Sequence, residues 1–213
     1  MSRDVRQVQL PVPVRERRSH AARTAETRER IMQAVLASIA EVGFARTTAT
    51  EIARRSGVTW GAVQHHFGGK DGILLAVAED SFNDFASLLA SIPLEDTALE
   101  KLASLLIDRA WDHFSGDGYR STFEILLNYL GREHAGAAPQ WQAGMFRAWD
   151  SIWMNLFQDA PISRRRHRIL EHYTISTLSG LASTLMLEGG DATLRAEELD
   201  ILKQLLIREL SST

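Results

Sequence analysis

The chain has no cysteine, which removes disulfides, thiolate metal sites and a cysteine nucleophile together, so any site must be built from nitrogen and oxygen donors. No apolar run approaches the length of a membrane span. The opening MSRDVRQVQLPVPVRERR sets two prolines and scattered charges within its only apolar stretch, a composition a secretory signal does not tolerate. A cytoplasmic protein is expected. Catalytic patterns are also missing: there is no G-x-S-x-G, no Walker-type loop and no G-x-G-x-x-G. None of the seven histidines follows an acidic residue by three positions, and no two lie four apart, so the Glu-x-x-His motif of helical di-metal sites does not occur. His65 and His66 point about 100° apart on a helix and cannot chelate one ion together. Neither an enzyme, a metal site nor a cofactor is expected. An enzyme would need a scattered triad that a sequence does not reveal.

What is present is an uneven distribution of charge. Residues 1–70 carry 12 Lys and Arg against 6 Asp and Glu, whereas residues 71–213 carry 12 against 21. The net charge of -3 therefore hides a basic first third, as expected where one part of a chain meets a polyanion. A basic tail on an ordinary acidic domain is the plainer alternative. With 213 residues and 45% hydrophobic content, the chain can bury a real core in one large domain or two small ones.

Periodicity predicts an all-α fold of about nine helices. Residues 1–22, with Pro11, Pro13 and Arg15, Arg17 and Arg18, read as a flexible basic arm. From Thr27, the residues Ile31, Val35, Ile39 and Val42 form one helical stripe ending at Gly43. Thr48-x-x-Glu51 predicts a capping box opening a short second helix that stops at Gly57. Thr59 is a good N-cap for a third helix through Phe67. Two short helices across a glycine turn are the helix-turn-helix pattern, here within residues 23–70. Residues 71–213 read as long amphipathic helices: 73–92, 97–114, 119–130, 140–158, 163–188 and 196–210, punctuated by glycine and proline.

The stretch TWGAVQHHFGGK carries the most chemistry. Val63 and Phe67 share the inward face of the third helix, and Gly61, Ala62 and His65 point away. A small outward face suits a helix that must approach base pairs in a major groove, whereas Gly61 otherwise costs about 1 kcal/mol of helix propensity.

The segment GVTWGAVQHHFGGKDGIL, with TTATEIARRSGV before it, resembles the tetracycline-repressor (TetR) family of regulators, over about Thr27 to Leu75. The resemblance implies phosphate contacts from Thr48, Thr59, His66 and Lys70, which fix register without reading sequence. It places Trp60, Gly61, Ala62 and Gln64 toward base edges, with Thr50 and His65 at the margin. Where the family commonly has Tyr, this chain has Gln64, which can pair bidentately with adenine. Plainer readings stand beside these: His66 packing at the junction with the next helix, Trp60 serving as a core aromatic, and Gln64 merely solvated. The arm arginines could reach a minor groove or serve only for solubility.

For residues 71–213 the resemblance implies a helical ligand-binding and dimerisation region. Trp111, Phe114, Phe123, Trp149 and Trp153, with Phe82, Phe85, Trp141, Met145 and Phe157, could line an apolar pocket, with His113, Asn128, Arg132 or His134 as polar contacts. Core packing is the plainer role for each. Leucine-rich helices at 163–210 would pair with those of a second copy. Arg164, Arg165 and Arg166 oppose their helix dipole and are expected to meet acidic partners or an anionic ligand. The functional expectation is a homodimeric DNA-binding regulator, a repressor released from a near-palindromic operator by a small, apolar effector. The alternative is a helical small-molecule carrier with a vestigial helix-turn-helix.

Overall fold

The computed structural model describes residues 20–130, 138–188 and 192–212. The arm expected at 1–22 lies outside this range except for its last three residues, as do Arg132 and His134. The side chain of Trp141 is likewise outside it.

Among the described residues there are nine α-helices and no strand. They are α1 (His20–Val42), α2 (Ala49–Ser56), α3 (Trp60–Phe67), α4 (Lys70–Ala90), α5 (Leu99–Phe114), α6 (Asp117–Ile125), α7 (Ala138–Phe157), α8 (Arg164–Glu188) and α9 (Ala192–Leu210). A 3₁₀ turn, Phe44–Arg46, follows α1, and a π-helical turn, Leu126–Leu130, continues α6.

Several helices begin earlier than their apolar stripes. Helix α1 starts at His20 rather than Thr27, because Ala21, Ala22 and Ala25 favour helix without contributing a periodic signal. Helix α4 starts at Lys70 rather than at Ile73, and α9 at Ala192 rather than at 196. The capping box forms only in half. Thr48 Oγ1 accepts from the Glu51 amide at 3.3 Å, but the Glu51 carboxylate turns to the guanidinium groups of Arg54 and Arg55. Three charge-assisted bonds outcompete one bond to a backbone N–H.

Glycine is required at two turns. Gly57 ends α2 with φ 65°, in the left-handed region. At Gly72 a Cβ would lie 1.8 Å from the Phe67 carbonyl oxygen, so no larger residue lets α4 start so close to the end of α3.

Two cores result. The N-terminal core gathers Ile31, Val35 and Ile39 of α1, Ile52 of α2 and Val63 of α3. It also takes Ile73, Leu74 and Val77 from α4 and Ile125 from α6, so it extends past residue 70 into the helical bundle. The larger core unites α4, α5, α7, α8 and α9 around Leu89, Leu106, Trp153, Leu178 and Leu206. Helix α4 thus spans both: its first turns belong to the N-terminal core, and Phe85 and Leu89 belong to the bundle.

Candidate nucleic-acid interface and internal cavity

Helix α3 is set by its caps. Thr59 Oγ1 accepts from the Ala62 amide at 3.2 Å, and Gly68, with φ 76°, closes the other end. Such an N-cap contributes about 1 kcal/mol. Val63 is fully buried, which fixes the rotation of the helix and leaves Thr59, Gly61, Gln64 and His65 exposed. Thr48 and Thr50 at the start of α2 are exposed as well. A Cβ on Gly61 would meet nothing closer than Thr59 Oγ1 at 3.9 Å, so no packing within the protein demands glycine there.

The remaining expected interface residues are partly withdrawn. Ala62 and His66 are half-buried. Trp60 packs against the N-terminal core, the plainer of its two expected roles. The Lys70 ammonium lies 5.1 Å from the centre of the Phe44 ring, and its burial lowers its pKa. The α3–α4 junction is held by Arg28, whose Nη1 donates to the His66 carbonyl at 2.6 Å while its guanidinium lies 4.3 Å from the centre of the Phe67 ring. Arg28 gave no sequence signal, because an arginine on a long helix reads as solvated surface.

Arginine and glutamate bind α1 to α2. Arg55 bridges Glu41 at 2.6 Å and Glu51 at 2.5 Å, and the hydrogen bonds from Arg54 and then Arg55 hold Glu51 down to about 2. Arg54 and Arg55 are consequently neutralised in part by their own neighbours.

The second feature is a cavity of about 140 Å³ in the bundle, walled among the described residues by Phe82 and Phe85 of α4, Phe114 of α5, Tyr119 of α6, and Phe146 and Trp149 of α7. Of the residues expected to line an apolar pocket, Phe82, Phe85, Phe114, Met145 and Trp149 reach this wall, whereas Trp111, Phe123, Asn128, Trp153 and Phe157 do not. Trp153 is 0% exposed and donates to His167 Nδ1 at 3.3 Å, so it is core. Trp111 packs on the bundle core under the Arg195 guanidinium, 5.6 Å from its ring centre. Phe123 stacks on Tyr119 one turn behind the wall, at 5.8 Å. Asn128 turns back to the Glu124 carbonyl at 2.9 Å. Sequence spacing placed these residues on middle helices but could not tell which face of each turned toward the void. His113 does line it, and burial holds its imidazole below the ordinary value against the opposing influence of Asp84. Tyr119 and Phe146 gave no separate signal: Phe146 shares the helical stripe of Trp149 and Trp153, and Tyr119 that of Phe123, and a stripe alone does not say which of its members meets a void.

Two bonds tie the cavity wall to the N-terminal core. Glu124 of α6 accepts from the Phe44 amide at 3.1 Å, and Ser121 donates to the Leu36 carbonyl at 3.2 Å. The arginine run also finds partners: Arg166 pairs with Glu209, and Arg164 lies 4.0 Å from Asp150. Among the described residues no cluster of three or more His, Asp or Glu side chains is placed to hold a metal ion.

A capped, small-faced helix presented by two others, on a helical body with its own cavity, defines a helix-turn-helix architecture joined to a helical bundle. Residues 31–77 match the family model for bacterial regulatory proteins of the tetR family, so this segment is a helix-turn-helix of the TetR kind. The regulator BetI 2 of Chromohalobacter salexigens is 41% identical over 64 residues, covering 30% of this chain and 31% of BetI 2. The match therefore spans about a third of that relative and speaks for the helix-turn-helix alone. Over the whole fold, Salmonella enterica GusR superposes with a TM-score of 0.70 at 18% identity, covering 88% of this chain and 96% of GusR. The structure of a SmeT–triclosan complex superposes with a TM-score of 0.61 at 25% identity, covering 87% and 90%. No described helix is long and apolar enough to cross a membrane.

Proposed function

We propose that the protein is a dimeric, ligand-responsive transcriptional repressor whose α3 reads DNA in the major groove. The observation that carries this reading is the exposed, unencumbered Gly61 on a helix whose inward face is pinned by Val63. A helix gives up about 1 kcal/mol for such a glycine, and close approach of base pairs supplies the reason. Thr48, Thr59, His66 and Lys70 serve as phosphate contacts, and Gly61, Ala62 and Gln64 face the bases, with Trp60, Thr50 and His65 beside them. SmeT, solved with triclosan, supports a ligand role for the bundle cavity.

Coupling runs through two helices. Helix α4 carries the cavity residues Ala78, Ser81, Phe82 and Phe85 and, nearer its start, the core residues Ile73, Leu74 and Val77. Helix α6 carries Tyr119 and Thr122 at the cavity and Ser121, Glu124 and Ile125 against α1 and the 3₁₀ turn. A ligand that favours a different packing of α4 and α6 shifts α3 relative to its counterpart in the second subunit. The dimer forms through α8 and α9, where Ile169, Tyr173, Leu194 and Ile201 stay exposed.

Fluorescence anisotropy with duplex DNA across a salt series tests the reading. A steep fall in affinity with rising salt, from displaced counterions, is expected. Absence of DNA binding at low salt returns the chain to the carrier reading.

A further inference from the structure

We infer that the cavity takes a compact, uncharged aromatic molecule bearing a hydrogen-bond acceptor oxygen, the class of small aryl ketones, aryl ethers and phenols. The assignment rests on the ligand-responsive reading above and deepens it. Size sets the first limit. A cavity of about 140 Å³ is close to the roughly 150 Å³ apolar cavity that accommodates benzene, so one ring with a short substituent fits within it, whereas a long acyl chain has to run out into the adjoining groove past Asp80, Asp84 and Asp112.

The wall sets the second. Trp149 stacks on Phe85 with centroids 5.5 Å apart, and Phe114 meets Phe85 and Tyr119 edge-on at 5.5 and 4.6 Å. Such surfaces pack a planar ring by offset and edge contacts.

The third limit is a single orphaned donor. Trp149 is 4% exposed, and its Nε1 is buried without an acceptor, whereas the neighbouring Trp153 donates to His167. An indole N–H can only donate, and leaving it buried and unpaired is costly. Neighbouring atoms close that N–H off from the cavity Trp149 lines, so a ligand whose binding shifts the indole and offers an oxygen recovers the cost, and a pure hydrocarbon does not.

Charge sets the last. Among the described residues no Arg, Lys, Asp or Glu lines the cavity. The adjoining groove shares Ser81, His113, Tyr119 and Thr122 with it and is faced by Asp80, Asp84 and Asp112. Either ion must leave water for a described wall that offers it no charged partner, and the groove carboxylates further disfavour an anion.

Calorimetric titration of the full chain with acetophenone, ethylbenzene, benzoate, phenyltrimethylammonium and decanoate tests the assignment. Acetophenone is expected to bind about tenfold more tightly than ethylbenzene, equivalent to about 1.4 kcal/mol, and the charged compounds and decanoate more weakly than either. Trp149→Phe keeps an aromatic face but removes the N–H and some ring surface, so it is expected to narrow the gap by weakening acetophenone more than ethylbenzene. In the unsubstituted protein, the Trp149 indole N–H resonance is expected to move downfield with acetophenone only, which decides the matter should the variant fold poorly. Tightest binding by benzoate, phenyltrimethylammonium or decanoate, or an acetophenone resonance shift confined to other tryptophans, overturns the assignment. Anisotropy on the same samples separates the two claims. Acetophenone binding with the Trp149 signature and unchanged DNA affinity supports the cavity assignment and contradicts the ligand-release reading; release of DNA by decanoate alone overturns the assignment and leaves that reading standing.

Discussion

Gly61 is where folding and function pull apart. Its position on α3 is exposed and free of close neighbours, so Gly61→Ala is expected to stabilise the fold by up to about 1 kcal/mol through helix propensity. Gly61→Leu is expected to fold equally well, because its side chain has open space, yet to lower operator affinity at least about tenfold by holding the helix away from the base edges. Thermal melts and anisotropy measured on the two variants check this. A Leu variant that binds DNA normally would show that α3 does not lie deep in a groove. Gly72 is the opposite case, a glycine demanded by the Phe67 carbonyl and not by a partner.

Among the elements, α6 is the link least visible in sequence and most informative in structure. Its Glu124 holds the Phe44 amide, a bond to a charged acceptor worth about 1.5–3 kcal/mol. Glu124→Ala is therefore expected to raise hydrogen exchange at the Phe44 amide about tenfold or more while leaving the α1 core amides protected. Unchanged exchange would remove this contact from the coupling route. Helix α8 carries a buried acid, Glu171. Burial pushes Glu171 up to about 7, with Asp150 adding to the shift and Arg168 opposing it. An unfolded-chain glutamate titrates near 4.5, so between pH 4.5 and 7 folding takes up a proton. The contribution is fully present below the unfolded value and is lost as pH rises through 7. Denaturant melts are expected to show stability falling across this window, and Glu171→Gln is expected to flatten the fall; an unchanged slope would place the titration elsewhere.

These elements also show what the sequence made legible. The Thr59 cap, the inward Val63 and the Gly57 turn are local signals, set by residues within a turn of one another, and α2 and α3 follow them. Helix starts at Ala-rich or charged segments carry no apolar stripe, and so α1 and α9 begin early. Glu51 shows that a local rule yields where long arginines compete for the same carboxylate. The cavity depends on the rotation of five helices about their axes, fixed only by packing across the bundle, and the aromatic positions alone placed Phe114 and Trp149 but not Tyr119 or Phe146 at its wall.

At the scale of the molecule, α8 and α9 leave Ile169, Tyr173, Leu194, Leu187 and Ile201 exposed, with Leu187 at 86% and Ile201 at 65%. An apolar face of this kind suits an isologous interface, in which each subunit offers the same patch. Two reading helices held about 34–36 Å apart match successive major grooves. Ile201→Glu is expected to yield monomers in sedimentation at micromolar concentration and to weaken operator binding sharply; a dimer that survives the substitution would place the interface elsewhere.

The central claim is that the N-terminal unit reads duplex DNA as half of a symmetric pair. Selection from a randomised duplex pool at low ionic strength tests it most directly. Enrichment of a near-palindrome with half-sites one helical turn apart is the predicted result, and a pool that stays random after repeated rounds would contradict the account.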